Sequence, residues 1–177
     1  MLYSLFQNNM SNALDIENKD INSFINLLHH GDLVEVYTDG SCMGNPGPGG
    51  WGAVFICNNY RSALSGFEEK TTNNRMELKG ALEALIVLPQ ILINIHVYTD
   101  SEYVKNGITM WIHSWIKNNW RTQDNKPVKN QDLWAQLYEL NESRNINWHW
   151  VKGHSNCINN ENADFLAKSA ILKNTKK

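Results

Sequence analysis

NRMELKGALEALIVLPQILINIHVYTD, residues 74–100, sets the architecture of this chain. Leu78, Ala81, Leu82, Leu85 and Leu88 recur at helical spacing along one face, and Pro89 marks the end of that period. Ile93, Ile95 and Val97 then alternate as far as Asp100, which is the pattern of a strand. A similar alternation over residues 33–38 runs straight into Asp39. With a helix between them, the two strands are expected to run parallel.

Outward from this unit, Gly44-Asn45-Pro46-Gly47-Pro48-Gly49-Gly50 is a turn-rich loop. Residues 51–57 and 61–67 read as a hairpin partner and a third strand, separated by the polar Asn58-Asn59-Tyr60. On the other side, residues 111–120 read as a helix and Pro127 breaks the chain. Residues 130–144 carry an apolar face of Leu133, Leu137 and Leu140, and Ile146, Trp148 and Trp150 alternate as a last strand. A polar loop over residues 153–160 precedes a C-terminal helix with Ala163, Leu166, Ala167 and Ala170 inward. The expected class is α/β: a mixed five-stranded sheet, three antiparallel strands then two parallel, flanked by helices.

A chain of 177 residues suits one domain with an appendage, and its apolar fraction is enough for a core. Sixteen basic against eighteen acidic residues leave a net charge of −2, so nucleic-acid binding requires a local patch. Cys42, Cys57 and Cys157 are odd in number and lack metal-ligand spacing, which argues for a reducing, cytoplasmic compartment. No apolar run reaches membrane-spanning length, so no membrane partner is expected. Residues 1–32 form an Asn- and Ser-rich extension, expected to be flexible, with one short helix through Ile21, Phe24, Ile25 and Leu28 that Gly31 stops. Residues 33–173 are the expected catalytic domain, and 174–177 a basic tail.

Four acids stand out: Asp39 in VYTDGSC, Glu77 in TTNNRMEL, Asp100 in VYTDSEYV and Asp164 in NNENADFLA. Singly, each reads as a surface acid or a helix cap. Jointly, two end strands and two begin helices, and in an α/β fold those places gather around one crevice. Carboxylates there supply the hard oxygen ligands that Mg²⁺ and Mn²⁺ prefer. GNPGPGG has neither the glycine spacing of a dinucleotide-binding loop nor the lysine of a P-loop.

The blocks TDGSCMGNPGPGGWGA, TTNNRMELKGALEAL, YTDSEYVKNGITMWI, NKPVKNQDLW and WHWVKGHSNCINNENADFLA, in this order, resemble the bacterial type 1 ribonuclease H family. The resemblance runs from about residue 33 to residue 172. It implies a ribonuclease H-like fold and an endonuclease that hydrolyses the RNA strand of RNA:DNA hybrids, leaving 3′-hydroxyl and 5′-phosphate ends. It also implies Asp39, Glu77, Asp100 and Asp164 as ligands of two Mg²⁺ ions, with Mn²⁺ as a substitute, and His154 as the residue of proton transfer or product release. The cellular work implied is removal of RNA primers and R-loops by a monomer with no obligatory protein partner.

By the same resemblance Asn45, Asn73 and Asn74 meet minor-groove edges and sugars, while Lys70, Thr72 and Asn130 grip a phosphate of the DNA strand. Trp111, Lys117, Trp120 and Arg121 belong to a basic protrusion along that strand, with Trp111 and Trp120 at the surface and Trp115, Trp134, Trp148 and Trp150 in packing roles. Two positions depart from the family. Lys70 replaces a frequent arginine and lacks its two-pronged geometry, which implies a looser grip. Glu102 stands where glutamine is familiar; it either weakens binding, accepts from a 2′-hydroxyl, or points away. Two alternatives remain at this level: a non-catalytic RNA:DNA hybrid-binding module, and an integrase-like DNA nuclease of the same fold.

Overall fold

A computed structural model describes residues 16–153 and 157–175. Its strands are β1 (Glu17–Asn18), β2 (Leu33–Cys42), β3 (Gly47–Cys57), β4 (Tyr60–Thr71), β5 (Asn94–Thr99) and β6 (Asn145–Trp150). Its helices are α1 (Ile21–Asn26), α2 (Asn73–Val87), α3 (Glu102–Asn106), α4 (Ile112–Lys117), α5 (Gln131–Ser143) and α6 (Ile158–Thr175). The sheet order is β1-β4-β3-β2-β5-β6. β2, β3 and β4 pair antiparallel, whereas β5 and β6 run parallel to β2, as the helix between residues 74 and 88 requires.

The sheet has six strands and not the expected five, because Glu17 and Asn18 pair in parallel with Tyr60 and Arg61 at its edge. Two polar residues carry no alternation, so this strand has no sequence signature. Residues from the segment before 33 also enter the core: Phe24 is fully buried with its ring 6.1 Å from Phe55, and Leu28 joins the same cluster. β3 and β4 run past their apolar stretches, since backbone pairing of Gly49 with Cys42 and of Thr71 with Gly47 needs no apolar side chain.

One face of the sheet presents Val34, Val36, Ile95 and Val97 to a large core completed by Leu78, Leu82 and Leu85 of α2 and Leu137 of α5. The other face is covered by α6, where Tyr37, Val54 and Ala163 form a second, smaller cluster. The helix expected at residues 111–120 instead begins at Glu102 and stops at Lys117, with a π-helical turn over Gly107–Trp111 between α3 and α4. It stops there because Asn119 and Trp120 take left-handed backbone angles. No helix among the described residues is long and apolar enough to cross a membrane.

Candidate active site

Strand register brings the first two acids together. Thr38 of β2 pairs with Thr99 of β5, so Asp39 and Asp100 are the next residues along neighbouring parallel strands. Glu77 arrives from the first turns of α2, whose start is capped by Thr72 Oγ1 accepting from Arg75 N at 3.4 Å. This helix lies against β2 at Gly40: a Cβ there would overlap the backbone nitrogen of Glu77 and the carbonyl carbon of Met76. Gly40 therefore allows the approach that sets Glu77 beside Asp39. Gly52, paired with Asp39 on β3, does the same for α6, since a Cβ on it would overlap the carbonyl oxygen of Ala163, the residue before Asp164.

Asp39, Glu77 and Asp100 each offer an oxygen within 4.8 Å of the others. Asp39 and Glu77 are only 6% and 7% exposed. Glu77 Oε1 accepts from Asn73 Nδ2 at 3.3 Å, while Glu77 Oε2 is buried with no hydrogen-bond partner among the described residues. Asp100 Oδ2 accepts from the buried Asn160 Nδ2 at 3.1 Å. Asp164 stands outside this group of three, near enough for its charge to act on Asp39, and is ion-paired to Lys168 at 2.7 Å, one helical turn on. Arg75, close to Glu77 in sequence, is committed elsewhere: its guanidinium makes two bonds to Asp132, at 3.0 and 2.6 Å, and approaches Glu68. A cluster of hard anionic oxygens with an orphaned acceptor among them fits a divalent cation.

The electrostatics agree. Burial, followed by the charges of Asp100 and Asp164, pushes the Asp39 carboxyl up to about 8. Burial, then the charges of Asp39 and Asp100, holds Glu77 well above the ordinary carboxylate range. An unfolded Asp39 releases its proton near pH 4, whereas the folded one keeps it to about pH 8. Between those values the folded state binds more protons, so its stability falls as pH rises through the window. In EDTA the melting temperature should therefore drop between pH 5 and pH 8, and Mg²⁺ should remove most of the drop. Melting curves in both buffers check this; a drop unaltered by Mg²⁺ would mean that the cation does not reach these carboxylates.

The remaining residues singled out from sequence fall into separate groups. Asn45, Thr72, Asn74 and Asn130 line one cavity of about 790 Å³, together with Tyr103 and Lys129. Asn45 also ties its loop to α2, its Oδ1 accepting from Asn73 N at 3.2 Å. Lys70 is exposed near the end of β4 and Lys117 at the end of α4. Trp111 is 38% exposed, its ring 5.8 Å from that of Trp115. Trp120 is half-buried and packs against the core, which corrects its placement at the surface. Arg121 is exposed and donates to the carbonyl of Asn125 at 2.8 Å. Glu102 is exposed in the first turn of α3, where a carboxylate favours the helix N-terminus. His154 lies outside the described residues; Gly153 before it abuts Asp100, where an added Cβ would sit 2.8 Å from Oδ2.

Trp150 departs from its expected packing role. It shares the parity of Ile146 and Trp148, yet it is 47% exposed, and its indole N–H donates to the carbonyl of Asp100 at 3.1 Å. Alternation identifies the face of a strand but not where the covering layer ends. Asn160 was also missed, because nothing local links it to an acid 60 positions earlier.

Comparison with known proteins matches residues 31–172 to the RNase H family model. The chain is similar to the ribonuclease H of Rickettsia massiliae (strain Mtu5), 55% identical over 137 residues that cover 77% of this chain and 90% of that protein. It is 51% identical over 140 residues to the ribonuclease H of Maricaulis maris (strain MCS10), covering 79% and 94%. Among solved structures, LC9-RNase H1, a type 1 RNase H with the type 2 active-site motif, superposes with a TM-score of 0.74 at 32% identity, over 84% of this chain and 76% of that one. LC11-RNase H1, solved in complex with an RNA/DNA hybrid, shares the fold with a TM-score of 0.61 at 23% identity, over 80% and 98%.

Proposed function

The chain belongs to the RNase H family, and from that premise we propose that it is an endonuclease that hydrolyses the RNA strand of RNA:DNA hybrids. The observation that carries this reading is the meeting of Asp39, Glu77 and Asp100 within 4.8 Å, with the charge of Asp164 acting on Asp39. Asp39, Glu77, Asp100 and Asp164 would hold two Mg²⁺ ions, with Mn²⁺ as a substitute. When bound, such ions lower the pKa of water and stabilise the charge of the attacking and leaving oxygens.

The chain's own residues do the rest. Asn73 holds one oxygen of Glu77 and Asn160 one oxygen of Asp100, which orients the two carboxylates. Lys168 balances one oxygen of Asp164. The oxygen of water bonds to phosphorus while the bond to the 3′-oxygen breaks, leaving a 3′-hydroxyl and a 5′-phosphate. His154, next after Gly153 in the sequence, relays a proton at the scissile phosphate or assists product release.

The cavity lined by Thr72 and Asn130 takes a phosphate of the DNA strand, and the exposed Lys70, two residues before Thr72, adds its charge to the grip. Asn45, Asn73 and Asn74 meet sugars and minor-groove edges. Trp111, Lys117, Trp120 and Arg121 lie along the DNA strand, Trp120 through whatever part its half-buried ring leaves outside. Residues 33–173 form the catalytic unit, with residues 16–32 docked on it. The protein acts as a cytoplasmic monomer in removing RNA primers and R-loops.

The test is cleavage of an end-labelled hybrid with Mg²⁺, with and without EDTA, beside RNA duplex and DNA duplex. Cutting confined to the hybrid and lost in EDTA is expected. Cutting of duplex DNA would replace this reading with a DNA nuclease, and binding without turnover would make the chain a hybrid-binding module.

A further inference from the structure

We propose that Tyr103 is a positioning residue for substrate binding, its hydroxyl fixing which end of the Asn130 amide faces the bound phosphate; this rests on the phosphate reading of the cavity given above. Asn130 occupies the N-cap position of α5, where an asparagine ordinarily accepts from the first turn of its own helix. Here it has left-handed backbone angles, φ 57° and ψ 31°, and its side chain makes no cap hydrogen bond. Its amide instead turns to α3: Nδ2 donates to Tyr103 Oη at 3.3 Å. The side chain is thus withdrawn from helix capping and committed to the cavity wall that Tyr103 and Asn130 share.

The tyrosine hydroxyl has no freedom left. Trp134 Nε1 donates to it at 3.1 Å, and it donates in turn to the carbonyl of Lys129 at 3.4 Å. One donor and two acceptor sites are all that a phenol offers, and all are in use. The ring is held as well, since the fully buried Trp134 packs edge-on against it with centroids 5.3 Å apart. With the hydroxyl hydrogen engaged by Lys129, only a donor of Asn130 can face Tyr103. A flipped amide would place its oxygen against an oxygen lone pair. Nδ2 therefore stays toward Tyr103, and its second N–H remains for an anion in the cavity. Without the hydroxyl the amide is free to rotate and present its oxygen to a phosphate, which it would repel.

The test uses the full chain on hybrids whose DNA strand carries one uncharged methylphosphonate linkage, moved along the strand. Wild type should show one linkage at which losing the charge raises KM. Tyr103→Phe should raise KM about three- to tenfold with kcat within about twofold, and should lose that sensitivity. Asn130→Ala should do the same, and the double variant should be no worse than Asn130→Ala alone, because Tyr103 acts through Asn130. Melting curves run alongside, since Tyr103→Phe orphans the Trp134 N–H. A lower Tm with an unchanged methylphosphonate profile, or KM effects that multiply in the double variant, would overturn the assignment. If Asn130→Ala itself leaves KM and the profile unchanged, the phosphate reading fails and takes the proposal with it.

Discussion

Asp39→Asn should reduce turnover about a thousandfold or more and, in EDTA, raise the melting temperature at pH 8 by about 3–6 °C. The two effects have one cause. Asp39 is buried against Glu77, Asp100 and Asp164, so in the absence of a cation the folded protein concentrates negative charge where water cannot screen it. Burial, and then repulsion, raise the proton affinity of Asp39; recovering one tenfold step of it, about 1.4 kcal/mol, moves the Tm of a chain this size by about 3–6 °C. The amide keeps the shape and the contact with Gly40 N, which Asp39 Oδ1 accepts at 2.7 Å. It also flattens the fall in stability between pH 5 and pH 8. Calorimetry in EDTA, set beside hybrid cleavage in Mg²⁺, measures both. A variant that is inactive and also less stable in EDTA would mean that this carboxylate serves the fold.

The second large effect is expected from the smallest change. Gly40→Ala should destabilise the protein by about 3 kcal/mol or more and lower kcat about a hundredfold. The new methyl would overlap the Glu77 nitrogen and the Met76 carbonyl carbon, and it would lie 2.7 Å from Glu77 Cα. These are backbone atoms, so no rotamer change relieves the clash. α2 must retreat from β2, carrying Glu77 away from Asp39. Denaturant unfolding gives the stability, and cleavage kinetics at saturating hybrid give kcat. Wild-type kcat in a destabilised variant would separate the helix contact from the placement of Glu77.

What could be read from the linear chain follows from periodicity. Helical spacing ending at Pro89 and alternation into Asp100 required a parallel return, so Asp39 and Asp100 were expected at one end of the sheet. Glu77 and Asp164 are singled out as acids near the starts of patterned helices; Glu77 lies in the first turns of α2, whereas α6 begins at Ile158 and Asp164 lies in its second turn. What was not legible lacks such a signal. β1 is two polar residues paired at an edge. Trp150 has the parity of a core residue and stands beyond its cover. Trp120 lies just past the end of a helix, in a left-handed turn that folds it back onto the core.

The amino-acid sequence by itself determined the class of fold and the strand directions, because spacing of apolar residues along a helix or strand is a local property. The four acids are singled out by their places at strand ends and helix starts together with the family resemblance. Tertiary structure alone decided what surrounds the acids and the neighbouring cavity: Asn160 on Asp100, Arg75 drawn off from Glu77 to Asp132, and Tyr103 on Asn130. These partners lie 27 to 60 positions apart in the chain, and the close approach of α2 at Gly40 and of α6 at Gly52 is what carries Glu77 and Asp164 to the sheet. Burial does the rest, since only the packed crevice removes the water that would otherwise keep these carboxylates ordinary.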